Sequence, residues 1–263
     1  MPLETQSRLL TEERRREIVN VLEREGRVTV SELKKLFGIS AVTARSDLDA
    51  LTKSGQLVRS HGGGIRPLVT GPDYPLKIRQ AIHHEEKQRI ARAALDLIQP
   101  HQTVIIGSGT TCAELADQIR RAAPERLTVI TYALNVALHL SDLSNVALVV
   151  IGGIFRHVSN AFVGPQAEQM MASFHADHCF LGTVGIDAEV GLTTLDILEA
   201  QLNAKMLNSA RQSTILADST KFGHRSLAVI ADTGQLQRVI TDTGAPQASL
   251  DQFRARGVEV LTV

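Results

Sequence analysis

VTVSELKKLFGISAVTARSDLDALTK, residues 28–53, is the stretch whose reading decides the N-terminal fold. Ser31 stands at a helix start, Leu33, Leu36 and Phe37 follow as its apolar run, and Gly38 closes it. Two residues on, Ser40 opens another helix, whose Ala44, Leu48 and Leu51 recur at i, i+4 and i+7 and so share one face. Upstream, Thr11 with Glu12 and Glu13 reads as a capped helix start with acids in the first turn. Ile18, Val19 and Leu22 keep helical spacing there, Gly26 ends it, and residues 27–30 are extended. Downstream, Gly55 stops the third helix, and residues 56–66 read as a hairpin with Gly62, Gly63 and Gly64 at its tip. Helix, tight turn at Gly38, helix and hairpin together make the layout of a winged helix-turn-helix.

That layout has a chemical consequence. With Ala44, Leu48 and Leu51 turned inward, Val42, Arg45 and Ser46 project from the opposite side near the helix start, flanked by Ser40 and Thr43. The leading end of such a helix is what reaches base edges in the major groove of double-stranded DNA. Arg59, His61 and Arg66 on the hairpin are expected along the phosphate backbone or in the minor groove. The chain's formal net charge is zero, yet residues 1–70 carry 12 Lys+Arg against 9 Asp+Glu. An excess that small carries no nucleic-acid argument by itself, so the pattern has to.

Pro67, Gly71-Pro72 and Pro75 break the chain after the hairpin, and residues 67–82 read as a linker between domains spanning 1–66 and 83–263. Residues 84–99 form an amphipathic pattern with Ile90, Ala94, Leu97 and Ile98 on one stripe, ended by Pro100. Beyond it, short apolar strands at 103–106, 127–131, 146–151, 178–181, 213–217, 227–230, 239–241 and 258–261 alternate with helices, including 196–210 and 247–256. Strand–helix alternation predicts an α/β domain built on a mostly parallel sheet, Rossmann-like in layout. Aromatic residues are 3% of the chain and Trp is absent, while hydrophobic residues are 43%, a mix suited to buried parallel strands.

Ligands of such sheets bind beyond the carboxyl ends of the strands. The loop Gly107-Ser108-Gly109-Thr110-Thr111 lies at one of them, with glycines that let N–H groups converge, hydroxyls, and a helix start behind it. That combination favours a phosphate, though the spacing matches neither a Walker loop nor a dinucleotide fingerprint. Gly152-Gly153 with Arg156, then Gly182 with Gly185, and then Lys221 supply further anion-compatible groups at other strand ends. The two cysteines, Cys112 and Cys179, lie apart in apolar surroundings, and the histidines lack ligand spacing. No metal, catalytic group or cofactor is therefore expected. A reducing cytoplasm is the expected setting, without a membrane segment.

The segments at 30–33, 37–40, 43–48 and 57–63 together resemble the DeoR family of bacterial regulators. So do Gly109-Thr110-Thr111, Leu134-Asn135, Gly152-Gly153, 162–164, 180–182, 191–193, Asp218 with Lys221, and 240–242. The resemblance implies a transcriptional regulator, usually a repressor, working as a homo-oligomer (dimer or tetramer) on a DNA operator. It also implies a ribose-5-phosphate-isomerase-like sensor domain responding to a phosphorylated sugar. Three positions depart from the family pattern: Ser46 stands for the second of two arginines, Gly107 for Asp and Tyr132 for Asn. The alternatives are an isomerase-like enzyme with an accessory domain, for which Glu199 is the candidate base, and an adaptor whose N-terminal domain docks protein. The isomerases' Asp-Gly-Ala-Asp stretch falls on Gly182-Thr183-Val184-Gly185, which has no carboxylate.

Overall fold

Two compact units make up the chain, Met1–Ile78 and Arg79–Val263. The computed structural model describes residues 10–53, 56–60, 62–65, 79–80 and 82–263. His61, Arg66 and residues 67–78 of the expected linker lie outside the described residues.

The first unit runs α1 (Thr11–Glu25), β1 (Arg27–Thr29), α2 (Val30–Phe37), α3 (Ala41–Lys53), β2 (Val58–Ser60) and β3 (Gly63–Ile65). Two caps fall elsewhere than their hydroxyls suggested. Leu10 caps α1, its backbone N–H donating to Glu13 Oε2 at 2.9 Å. In α2 the cap is Thr29, not Ser31: Thr29 Oγ1 accepts from the Glu32 N–H at 3.1 Å, and Glu32 Oε2 accepts from the Thr29 N–H at 2.7 Å. A capping box needs an acid three residues after the cap, and Ser31 has Lys34 there. Ser40 does cap α3, its Oγ accepting from the Thr43 N–H at 3.1 Å.

Ile18, Leu22, Val28, Leu33, Ala44, Leu48, Leu51 and Leu57 form the core of this unit. Leu36, expected inside, is exposed, because the eight residues of α2 bury one narrow stripe around Leu33. The strands pair antiparallel in the order β1-β3-β2. Gly63 and Gly64 are strand residues of β3 rather than turn residues. A Cβ on Gly63 would lie 2.1 Å from the Val28 carbonyl oxygen, and one on Gly64 2.6 Å from Leu57 Cδ1. Backbone approach to β1 demands Gly63, and a side chain at Gly64 would have to displace Leu57; of the three, only Gly62, at φ +83°, serves the turn.

The second unit begins with α4 (His84–Leu95), which stops four residues before the expected 99. Next come β4 (Thr103–Ile106), α5 (Thr110–Ala122), β5 (Leu127–Thr131), α6 (Leu134–Leu140) and β6 (Val146–Val150). After them lie β7 (Ile154–Arg156), β8 (Ala161–Val163), α7 (Pro165–Met171), β9 (Ala176–Gly182), β10 (Gly185–Asp187) and β11 (Gly191–Thr194). The last elements are α8 (Ile197–Asn208), β12 (Ala210–Leu216), β13 (Ala228–Ala231), β14 (Arg238–Thr241), α9 (Gln247–Ala255) and β15 (Glu259–Thr262).

Seven strands form an all-parallel sheet in the order β15-β14-β12-β9-β4-β5-β6. Alternate residues enter opposite cores: Ile105, Ile130, Leu181, Ile215 and Val239 on one face, Val104, Ile106, Val129, Phe180 and Ile240 on the other. β13, which reads like another parallel strand, instead joins an antiparallel sheet, β10-β11-β13. Gly152-Gly153 follows the end of β6 and leads into the β7–β8 hairpin. The chain lays down β4, β5 and β6 outward, then returns to the other side of β4 with β9. The strand order therefore reverses between β4 and β9, which places the crevice of the sheet there.

Candidate functional site

In the first unit the buried stripe of α3 fixes what faces out. Val42 is 73% exposed, and Arg45 and Ser46 are exposed beside it. Arg45 has no hydrogen-bond or ion-pair partner among the described residues, whereas Ser40 and Thr43 hold each other, Oγ to Oγ1, at 2.9 Å. An open depression of about 510 Å³ on this face is lined by Arg15, Val42, Arg45, Ser46, Asp49 and Ala50. On the inner side, Asp47 receives Arg14 Nε at 2.6 Å and Arg15 Nε at 3.0 Å, which ties α1 to α3. Arg59, on β2, is held by Asp49 Oδ1 (3.2 Å) and the Gly63 carbonyl (3.2 Å). Neither acidic contact is legible in the local pattern, because each partner lies on a different element.

The second unit gathers polar side chains where the strand order reverses. Ser108 follows β4, and its Oγ donates to Glu199 Oε1 at 2.7 Å. Glu199 is buried on α8, whose N-cap is Asp196. Arg156, from β7, reaches both acids: Nε to Asp196 Oδ2 at 3.1 Å and Nη1 to Glu199 Oε2 at 3.5 Å, with Ser159 Oγ at 3.4 Å. Tyr132, at the end of β5, places its hydroxyl 2.9 Å from Ser108 Oγ and 2.7 Å from Asn203 Oδ1, and its one proton serves either. Burial and the Glu199 charge push its pKa well above the usual phenol value, so it is a neutral donor. Asn135, one turn on, is buried with both amide atoms unpaired among the described residues.

Around this cluster the backbone is open to an anion. The α5 helix starts on Gly109 at φ +109° with no side chain capping it, so its first N–H groups have no intrahelical acceptor. Thr110 and Thr111 are buried in its first turn. Gly182, ending β9, sits so close that a Cβ would stand 3.1 Å from the Ser108 carbonyl oxygen. A Cβ on Gly107 would meet Leu181 Cδ2 at 2.6 Å, so a side chain there would require Leu181 to shift.

Other expected ligand residues are engaged differently. A Cβ on Gly185 would fall 2.3 Å from the His224 carbonyl oxygen and one on Gly153 2.6 Å from that of Val163; both glycines serve close packing. Gly152 is exposed, with open space around its Cα. Lys221 lies 4.0 Å from Asp218 after β12. Burial alone would raise the Asp218 carboxyl, but Lys221, Thr220 and Lys87 hold it below its ordinary value. Lys87 is itself buried on α4, which lowers its pKa to about 8, and its Nζ donates to the Arg79 and Ile82 carbonyls at 2.5 and 2.6 Å. Arg79 in turn donates to the Val158 carbonyl at 2.8 Å, in the turn of the hairpin that carries Arg156.

Tyr132, one of the departures from the family pattern near the expected site, and Glu199, the candidate base of the isomerase alternative, belong to the cluster, and Asp196 and Asn203, which local reading did not single out, complete it. The usable signal was the spacing of 196, 199 and 203, which puts one face of a helix under polar residues. The thiols of Cys112, pushed up to about 12 by burial, and of Cys179 stay neutral and inert. Among the described residues no group of acids, histidines and cysteines could hold a metal, and no helix is long and apolar enough to cross a membrane.

The model of the DeoR-like helix-turn-helix domain matches residues 14–67, and that of the DeoR C terminal sensor domain matches residues 82–243. The chain is 39% identical over 255 residues to the "Putative aga operon transcriptional repressor" of Escherichia coli O157:H7, covering 96% of this chain and 94% of that one. It is 32% identical over 257 residues to the transcriptional regulator UlaR of Shigella dysenteriae serotype 1 (97% and 100% covered). GolR of Listeria innocua is 32% identical over 250 residues (94% and 97%). Among solved structures, a D-ribose-5-phosphate isomerase in complex with phospho-erythronic acid is 15% identical, with a TM-score of 0.40 over 53% of this chain and 54% of that one. With both units matched in order and relatives aligned end to end, the chain belongs to the DeoR family of DNA-binding transcriptional regulators.

Proposed function

We propose that the protein is a repressor of sugar-metabolism genes, released from its operator when a phosphorylated sugar binds between β4 and β9. The carrying observation is the convergence of the uncapped α5 start with the Ser108–Glu199–Arg156 network. The helix start suits the phosphate, and the network offers donors and acceptors for sugar hydroxyls. The names of two relatives, a repressor of the aga operon and a regulator called UlaR, are in keeping with a regulatory rather than a catalytic role. In this setting Glu199 is a binding group: its two oxygens are already committed to Ser108 and Arg156, which disfavours a free base.

Signal leaves the site through the β7–β8 hairpin. Arg156 joins the network, while Val158 and Arg79 join the hairpin to the start of the second unit. A ligand that draws Arg156 toward itself moves the hairpin and, with it, Arg79 at the start of the second unit. Such a ligand changes operator affinity only by its differential binding to the two arrangements, typically ~1–3 kcal/mol. A homo-oligomer, dimer or tetramer, would set two α3 helices on repeated half-sites. The setting is cytoplasmic.

The test is fluorescence anisotropy on the DNA upstream of the gene, at fixed salt, with a panel of sugar phosphates. One phosphate should weaken binding by the wild type and leave binding by Glu199→Gln, which should match the wild type's without ligand, unchanged. Operator binding indifferent to every phosphate would refute the effector; no specific binding would refute the regulator.

A further inference from the structure

Asp49 stands apart on the outer face of α3. It shares the depression lined by Val42, Arg45 and Ser46, and its side chain is largely exposed. A carboxylate facing a polyanion weakens binding, so its place on this surface calls for a reason. Its partner supplies one. Arg59 Nε meets Asp49 Oδ1 at 3.2 Å, and Arg59 Nη1 donates to the Gly63 carbonyl at 3.2 Å. The guanidinium is thus held by one acceptor on α3 and one on β3: its Nε–H and one Nη1–H are committed, which closes the Nε side of its fork to a phosphate, and Asp49 offsets its charge while both contacts stand.

We propose that Asp49 is a specificity-determining positioning residue: it sequesters Arg59 in the free protein and releases it to the phosphate backbone only when α3 is seated on its site. On an arbitrary duplex, engaging a phosphate through Arg59 means giving up the Asp49 pair with little in return. On the operator, base contacts made by the start of α3 offset that loss. The carboxylate therefore lowers non-specific affinity more than specific affinity, widening the ratio that decides occupancy in a genome. There is an ionic consequence too. While Arg59 stays on Asp49, an arbitrary duplex gains one phosphate contact fewer, and so releases about one counterion fewer, than with a neutral residue at 49.

The proposal rests on α3 being the recognition helix, and the experiment separates the two. Full-length wild type, Asp49→Asn, Arg59→Gln, the double variant and Arg45→Ala are titrated across a salt series. The probes are a random-sequence duplex and a duplex that the wild type selects from a random pool. Asp49→Asn should bind the random duplex about two- to fivefold more tightly, the weight of one exposed ion pair. Its salt slope should steepen by about 0.9 and its selectivity fall. In the Arg59→Gln background, Asp49→Asn should keep only the small gain from removing one exposed negative charge, with no change in salt slope from a new phosphate contact. Unaltered binding of the random duplex by Asp49→Asn, or an effect as large without Arg59 as with it, overturns the proposal while Arg45→Ala still loses the selected duplex. Undiminished binding by Arg45→Ala would remove the recognition-helix assignment and the role of Asp49 with it.

Discussion

Replacing Asp47 with Ala tests how α3 is held against α1. The carboxylate is 2% exposed and accepts from two arginines of α1 at 2.6 and 3.0 Å. Each charge-assisted bond contributes about 1.5–3 kcal/mol. The two guanidinium groups do not suffer equally from the loss. Arg15 is 28% exposed and has Glu12 at 3.8 Å, so it can turn outward, whereas Arg14 is 12% exposed and stays desolvated. The cost should therefore lie near the low end of that for a buried pair broken on one side, about 3 kcal/mol. For a unit of this size that corresponds to a fall in Tm of about 12–24 °C. Circular dichroism melting of the full chain should show the first unit's transition moving down by that amount while the second unit's transition stays in place. Asp47→Leu combined with Arg14→Met should recover most of the loss, since it leaves no buried charge unpaired. A shift of less than about 1 kcal/mol in the single variant would refute the reasoning, because it would mean that the α1–α3 clamp carries no net stability.

Three further outcomes are expected. Gly63→Ala puts a methyl 2.1 Å from a backbone oxygen of β1 and should destabilise the wing by at least about 3 kcal/mol and cut operator affinity at least tenfold; wild-type affinity in anisotropy would contradict the close-approach account. Tyr132→Phe leaves Ser108 and Asn203 each short of a partner and should cost about 1–3 kcal/mol in urea unfolding of the second unit; an unchanged midpoint would show that the hydroxyl is not integral to the network. His178, buried and near Arg238, has its pKa lowered to about 4, so the native ring is neutral while the unfolded ring takes a proton near 6.5. Stability from this group is whole above pH 6.5 and falls as pH drops toward 4. His178→Gln, which keeps a partner for Thr214, should flatten that slope, and an equal slope in the variant would assign the acid sensitivity elsewhere.

Much of this fold is written locally. The 3.6-residue recurrence of Ala44, Leu48 and Leu51, the left-handed glycines at 26 and 38, and the short apolar strands between helices each follow from how one segment buries its own apolar face. The outward set Val42, Arg45 and Ser46 follows from the same periodicity, whereas the loop after β4 is legible from its glycines, its hydroxyls and the helix start behind it. Local pattern also misleads where two readings share one composition. Ser31 and Thr29 both suit a cap until Glu32 chooses, and three glycines suggest a turn when one of them is needed by a neighbouring strand and another lies against a core leucine.

Only the tertiary structure decided which strand ends meet. Ser108 and Glu199 are 91 residues apart and touch because β9 returns beside β4, a choice of strand order that no single segment encodes. The same holds for Arg156 with Asp196, for Asp47 with Arg14 and Arg15, and for Asp49 with Arg59. A segment's periodicity depends on its own side chains and on water, and is visible in one dimension. A polar contact between elements depends on how separately formed surfaces pack, and its energy appears only once both partners are desolvated together.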